Sequence, residues 1–463
     1  MVHVMLINDC RWHKIKPSFC PRPATEDFPT TTKPRPENIP PPGKFEHSVA
    51  PTHAVTSEMS QVTLMGSGCQ LSLASMTYGG VMRIANGLLS STMTLLSLPR
   101  EILDDVAQKV ADLESLKALS LSASQFRAPC QRILLRSLTL NHQRHANNYT
   151  PARILLCGSP HVASYITTLN VQLSEETTFP ALRSLRIILG QLQTVRRCRI
   201  EGDSGACCWD DLLVAPDVVE FIRRQPLEEL HVLFLRRVPI PVLALLFSSA
   251  PKLSFHCIYV RPDGEAAPTH ARSTPSHMTH LRLSIRTQEI WDALARPRFA
   301  NYAAHLRKLT LHPAPEHSGI IPAVTHTLEH ICFDCLSLLK VGSILPLPPL
   351  TSLRSIELII HFGGTHEAWL GNNLPRLLTS APATLEMITV TYGTIHHFVR
   401  FPLVLQPETM SMLDGVLSHC STPPCIRWRL SFEGDDRGER LAAFTMCVQM
   451  GLPWGHERGK VIV

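Results

Sequence analysis

No stretch of this chain reaches the ~20 consecutive apolar residues that a helix needs to cross a bilayer. The longest apolar candidate, Val238 to Phe247, is interrupted by Pro239 and Pro241. The opening MVHVMLINDCRWHKIK lacks the order of a secretory leader, because the apolar run Val4 to Ile7 is short and the basic residues follow it instead of leading it. A surplus of one charge is also missing. The net charge is +6 over 463 residues, and the basic residues are scattered, with no stripe that would track a phosphate backbone. These absences lead us to expect a cytoplasmic or nuclear chain with neither a membrane nor a nucleic acid as partner.

Complete catalytic and metal-binding motifs are scarce too. Gly202-Asp203-Ser204-Gly205 has the sequence found around the nucleophile of trypsin-like proteases, but Ala206 replaces the next glycine and no Ala-His-Cys segment precedes it. His366-Glu367-Ala368-Trp369-Leu370 begins like a zinc-protease helix, yet Leu370 holds the place of the second histidine. Cys332 and Cys335 have ligand spacing without a second matching pair, since Cys420 and Cys425 are spaced differently. His396-His397, the glycines Gly66 and Gly68, and the acidic group Glu433, Asp435, Asp436 and Glu439 match no complete site. We therefore expect no catalytic residue, no cofactor and no metal. The fourteen cysteines are spread out, and Cys130, Cys198, Cys257 and Cys332 lie inside apolar patterns. They read as buried thiols of an intracellular chain, not as a disulfide framework.

What the chain does have is 44% hydrophobic and 18% charged residues, the balance of a folded protein, and length enough for a large core. Residues 1–94 read as poorly structured. Pro17 to Pro51 is crowded with prolines that fix φ and remove backbone donors, without any P-x-x-P spacing, and only a short helix over Val81 to Leu89 suggests itself. A helical unit should occupy residues 95–140. Its first helix begins with Pro99 at the first helical position and shows Leu98, Ile102, Leu103, Val106 and Val110 on one face. Asp112 suits the N-cap of a second helix carrying Leu113, Leu116 and Leu119. A third should hold Phe126 and Cys130 to Leu134, before a strand at Ser137 to Leu140.

Beyond Leu140 an L-x-x-L-x-L pattern recurs, whose period-2 end reads as a short strand. Ile166-Leu169-Val171 is one copy and Leu182-Leu185-Ile187 another. Further copies end at Val232, Leu283, Leu311, Phe333, Leu358 and Val390. Helical segments lie between many of them, such as Asp217 to Arg224, Val242 to Phe247 and Ile290 to Leu294. The spacing falls to roughly 20–30 residues after Leu306, the range of leucine-rich repeats. Single units of this kind cannot bury their own edges, so they make sense as a stacked array. The plainer alternative is an ordinary α/β domain with leucine-rich strands.

Leu98-Pro99-Arg100-Glu101-Ile102-Leu103 resembles the LPxEIL opening of an F-box. Leu116 to Leu121 and Arg136 to Leu140 are similar to the second helix and exit strand of fungal F-box-like proteins, in which a leucine-rich-repeat region follows. Phe126 stands where that family has Trp, Leu135 where it has Phe, and Ser122 where an apolar residue is usual. The resemblance, which covers Ser97 to about Val390, implies an α/β fold: a short three-helix F-box-like unit over 95–140 and an irregular leucine-rich-repeat solenoid of strand plus helix per repeat over 141–432; residues 433–463 are left as a C-terminal cap or tail. It implies a substrate-recognition adaptor of a cullin-based ubiquitin ligase and not an enzyme. A Skp1-type adaptor would dock on Leu98, Pro99, Ile102, Leu103, Leu116 and Leu119. A protein target would meet the outward strand residues Arg186, His231, Arg282, Thr310, Glu357 and Thr389. The alternative is a leucine-rich-repeat scaffold for protein interactions that engages no ligase.

Overall fold

A computed structural model of the chain describes residues 62–66, 69–73, 99–143, 146–203, 207–261, 278–312, 324–335, 350–361, 364–379, 381–393, 407–420, 422–431 and 437–463. The proline-crowded segment and the short helix expected over 81–89 lie outside them. The chain divides into two units, one of Leu6–Leu119 and one of Ser120–Val463 together with Met1–Met5.

The first unit holds an antiparallel hairpin of Val62–Gly66 and Cys69–Leu73, which the sequence pattern did not announce. It also holds helix α1, Arg100–Lys109. Pro99 keeps an extended ψ of 147° and stands as the N-cap, one position earlier than its expected place inside the helix. Its carbonyl already accepts from Leu103 N at 3.2 Å, as a cap residue's does. Helix α2, Leu113–Ser122, carries the chain across the boundary. Its start is set by Asp112, whose Oδ1 accepts from Ser115 N at 2.7 Å. That bond holds the Asp112 carboxyl below the usual carboxylate range.

The second unit begins with helix α3, Ser124–Leu134, and then builds one parallel sheet of twelve strands in which spatial order is sequence order. The strands are β1 Ser137–Leu140, β2 Thr168–Leu173, β3 Arg197–Gly202, β4 Glu229–Leu233, β5 Lys252–His256 and β6 His280–Leu283. They continue with β7 Lys308–Leu311, β8 His330–Asp334, β9 Ser355–His361, β10 Met387–Gly393, β11 Cys425–Ser431 and β12 Val461–Ile462. Helices join many of them: α4 Tyr149–Gly158, α5 Phe179–Gln191, α6 Ala215–Arg224, α7 Ile240–Ser249, α8 Gln288–Ala295, α9 Gly364–Thr379, α10 Pro407–His419, α11 Arg437–Gly451 and α12 Pro453–Glu457.

Parallel strands need such crossovers, because two-residue turns cannot join them. The α/β expectation is met at the level of a parallel sheet with intervening helices. Among the described residues no helix is long and apolar enough to cross a membrane.

One expected strand is a helix. Leu182, Leu185 and Ile187 belong to α5, which buries Ala181, Ser184, Leu185, Ile188 and Leu189. Inward positions three and four residues apart form a helical face, and a three-then-two spacing is compatible with both periods. The strand of that unit is β3, where Cys198 and Ile200 are buried and Arg197, Arg199 and Glu201 alternate with them. Strand β5, with Leu253 and Phe255 inward, is a further copy that the L-x-x-L-x-L pattern does not capture.

Register is fixed by the alternation. Leu169, Cys198, Leu230, Leu253, Leu281 and Leu309 are aligned on neighbouring strands, and all are nearly inaccessible. A one-residue slip would turn every one of them to the opposite face. A second device lies just before the strands. The carbonyls of Arg136, Thr167, Arg196, Pro251, Thr279, Arg307, Glu329 and Arg354 each accept two successive backbone N–H groups from the next strand's start.

Candidate functional site

Because the apolar residues of each strand face the helices, the alternate residues share the opposite face of the sheet. In order across the sheet, one row of that face reads Asn170, Arg199, His231, Ser254, Arg282, Thr310, Cys332, Glu357, Thr389 and Arg427. Four of the target-facing candidates, His231, Arg282, Thr310 and Glu357, therefore stand in one row with Thr389. Arg186 does not. It lies on α5, exposed, with its Nε 2.8 Å from Asp217 Oδ1 on α6. Its expected place rested on reading α5 as a strand, and its role there is to join two helices.

The open face is organised by ion pairs. Arg282 Nη2 meets Asp334 Oδ2 at 2.8 Å, reaching over β7. Asp334 is buried, and its Oδ1 has no hydrogen-bond partner among the described residues. Arg199 grips Glu201 through Nε at 3.0 Å and Nη2 at 2.8 Å. His231 Nε2 lies 2.9 Å from Glu229 Oε1, and Arg197 lies 3.7 Å from the same carboxylate. His256 Nδ1 is 2.8 Å from Ser284 Oγ. Burial, and then the charges of Arg282 and Arg199, push the His256 imidazole down to about 4, so it is neutral near pH 7. His312 Nδ1 is 2.7 Å from the Asp334 carbonyl.

At the start of the strands a second row of the same face reads Lys252, His280, Lys308 and His330 on β5 to β8. Neither lysine makes an ion pair among the described residues. Burial, followed by the charges of Lys252 and Lys308, lowers the His280 pKa. Sequence reasoning missed this row because it looked only at the residue between the last two apolar positions, and these precede them.

On the helical unit, Leu98 lies outside the described residues. Pro99 and Ile102 are exposed, Ile102 by 42%, whereas Leu103, Leu116 and Leu119 are buried at 5–7%. The last three have little surface open in the chain alone. Phe126, in place of the family's Trp, is buried at 5%.

Of the cysteines expected inside apolar patterns, Cys130, Cys198 and Cys332 are buried and Cys257 is half-buried, while Cys157 is exposed. Cys332 and Cys335 are buried, and burial pushes the Cys332 thiol up to about 12 and raises that of Cys335 further, so both are held as neutral thiols. Ser204, His396, His397, Glu433, Asp435 and Asp436 lie outside the described residues. Glu175, Cys208 and Asp211 bring potential ligand atoms within 4.8 Å of one another; Glu175 there accepts from Cys208 N. A groove of about 550 Å³ opens beside α9 and α10, lined by Leu378, Leu385, Met412, Val416 and His419. No family model matches the chain, and no curated protein matches it either.

Proposed function

We propose that this chain is a target-recognition adaptor of a Skp1–cullin ubiquitin ligase. It docks on a Skp1-type protein through the start of its F-box-like helical unit and holds a protein target on the open face of a leucine-rich-repeat-like sheet. The observation that carries this reading is Ile102. It is an exposed isoleucine on a helix whose other exposed positions are Arg100, Glu101, Gln108 and Lys109, beside the exposed Pro99, within the segment that resembles LPxEIL. An isolated apolar residue next to a proline at a helix start offers an anchor for a partner's pocket. The sheet supports the second half. Its face opposite the described helices carries charged and polar side chains on registered strands, exposed at Lys252 and Arg282 and buried at Cys332, Asp334 and Thr389, a surface suited to holding another protein. Catalysis is not asked of the chain. Its contribution is effective concentration, which needs two binding surfaces and no reactive group.

The burial of Leu103, Leu116 and Leu119 favours a second reading, a repeat scaffold without a ligase, because it leaves a smaller docking surface than the six residues of the expectation. Capture separates the two. The full chain is expected to retain a Skp1-type protein in a pull-down. Ile102→Glu is expected to reduce that capture at least tenfold while leaving the melting midpoint within a degree or two, because an exposed side chain contributes little to folding. Capture that is undiminished by Ile102→Glu would remove the docking assignment. Failure of the parent chain to capture the adaptor at all leaves the scaffold reading.

A further inference from the structure

The open face is electrically uneven, and the imbalance lies on four adjacent strands. On β3 and β4 Arg199 and Arg197 meet the carboxylates of Glu201 and Glu229, and the His231 imidazole lies beside Glu229. On β5 to β8 the outward positions include Lys252, Arg282 and Lys308 with a single carboxylate, Asp334, already held by Arg282. The same four strands carry His256, His280 and His330, and His312 follows β7 directly. Glu329, just before β8, is turned toward Arg307 at 3.8 Å and His330 at 4.0 Å. Two lysines therefore stand two strands apart, about 10 Å at the backbone, neither in an ion pair among the described residues; Glu229, the register partner of Lys252, is engaged by Arg197 and His231.

We infer that β5 to β8 form the seat of an acidic peptide segment of a protein target, with Lys252 and Lys308 as its charge contacts. The inference rests on the open face being the target surface and supplies the chemistry of what it takes. Charge complementarity selects an anionic occupant. Nucleic acid is the other polyanion, but none of the outward residues of these strands is Phe, Tyr or Trp, which leaves only imidazoles and the ion-paired Arg282 guanidinium as a stacking platform. Side-chain carboxylates on an extended segment need no such platform. Lys252 is exposed and Lys308 half-buried, so both ammonium groups remain within reach of a docked chain.

Fluorescence anisotropy with the full-length chain tests this. The probes are a short glutamate-rich peptide, a serine-rich peptide of equal length, and single-stranded oligouridylate. The glutamate peptide is expected to bind about tenfold tighter than the serine peptide at low salt, and to lose that margin as screening shortens the range of its charges. Lys252→Gln combined with Lys308→Gln is expected to weaken it about five- to tenfold, the effect of two partly screened pairs. Arg223→Gln, on the exposed side of α6, should leave binding unchanged. Equal affinity for the two peptides overturns the inference, as does a double variant that binds like the parent. Tighter capture of the oligonucleotide, lost in the same double variant, overturns it in favour of nucleic acid. If the double variant folds poorly, the two peptides still separate the outcomes on the parent chain. No adaptor protein is present, so a failed titration leaves Skp1 docking intact, and a failed adaptor capture leaves the peptide seat intact.

Discussion

Gln225 shows how much structure one buried polar side chain can hold. Its Oε1 accepts from Val195 N at 3.1 Å, and its Nε2 donates to the Leu192 carbonyl at 2.7 Å. Both backbone groups belong to residues with no accessible surface. The side chain thereby ties the end of α6 to the turn that leads from α5 into β3. In Gln225→Ala both backbone groups lose their partner where water cannot replace it. We expect a loss of about 2–4 kcal/mol, one to two unsatisfied groups' worth, read from a denaturant unfolding curve. A shift below about 0.5 kcal/mol would show that water enters the turn. His256 makes a prediction about pH. Its folded-state pKa of about 4 lies below the ordinary 6.5, so the unfolded chain binds this proton more readily. The stability it permits is complete above pH 6.5 and is lost as pH falls from 6.5 toward 4. His256→Gln should flatten the decline of the melting midpoint over that window. A decline as steep as the parent's would place its origin in other groups.

At the scale of elements, the N-cap of α2 is the clearest case of sequence dictating structure. Asp112→Ala removes the acceptor for Ser115 N and should cost about 1 kcal/mol, seen as faster amide exchange over residues 115–117. Exchange that stays at the parent's rate would mean that packing alone holds the first turn. Asp112 was legible because a cap is a local device, settled by one side chain and the backbone three residues on. The same holds for α3 and for β1, where the pattern and the structure agree to within a residue or two. The strand signal failed where two periods overlap. Leu182, Leu185 and Ile187 satisfy the strand template, yet Ala181, Ser184 and Ile188 complete a helical face that the template does not count. β3 was passed over for the opposite reason. Its inward pair is Cys198 and Ile200, and its outward residues are Arg197, Arg199 and Glu201, so charge concealed an otherwise regular alternation. The candidate site was legible only in part. Its central row follows from strand alternation, but the lysines at 252 and 308 become neighbours of His280 only through pairing between strands. The reach of Arg282 to Asp334 likewise spans 52 positions.

Across the whole second unit, one apolar core runs without a break from Leu140 to Val461. Each strand pairs only with its sequence neighbours in the sheet, and on the proposed repeat reading stability is a sum of units and the contacts between adjacent ones. The ends then matter most, because a terminal unit has one neighbour instead of two. The last unit is α11, α12 and β12. Phe444 is wholly buried and lies 5.9 Å, ring to ring, from Tyr392, which stacks on Trp428 at 6.0 Å. Asp414 of α10 accepts from the backbone N–H groups of Trp454 and Gly455 at 3.1 and 2.9 Å, fastening the first turn of α12. β12 pairs with Ile426 and Arg427 alone, yet with the helices before it the unit covers the β11 edge. A chain ending at residue 436 would strip Tyr392 and Trp428 of cover and leave seven-residue β11 as an open edge, the kind of edge that recruits other chains. We expect that truncation to lower the melting midpoint, increase binding of an apolar dye and shift the protein to higher-order species in sedimentation. Asp414→Asn, which keeps one acceptor oxygen of the two, should destabilise by only about 1 kcal/mol and stay monodisperse. If the truncated chain sediments as the parent does and melts at the parent's temperature, the final unit contributes nothing to the core, and the sheet is stable as an open-ended array.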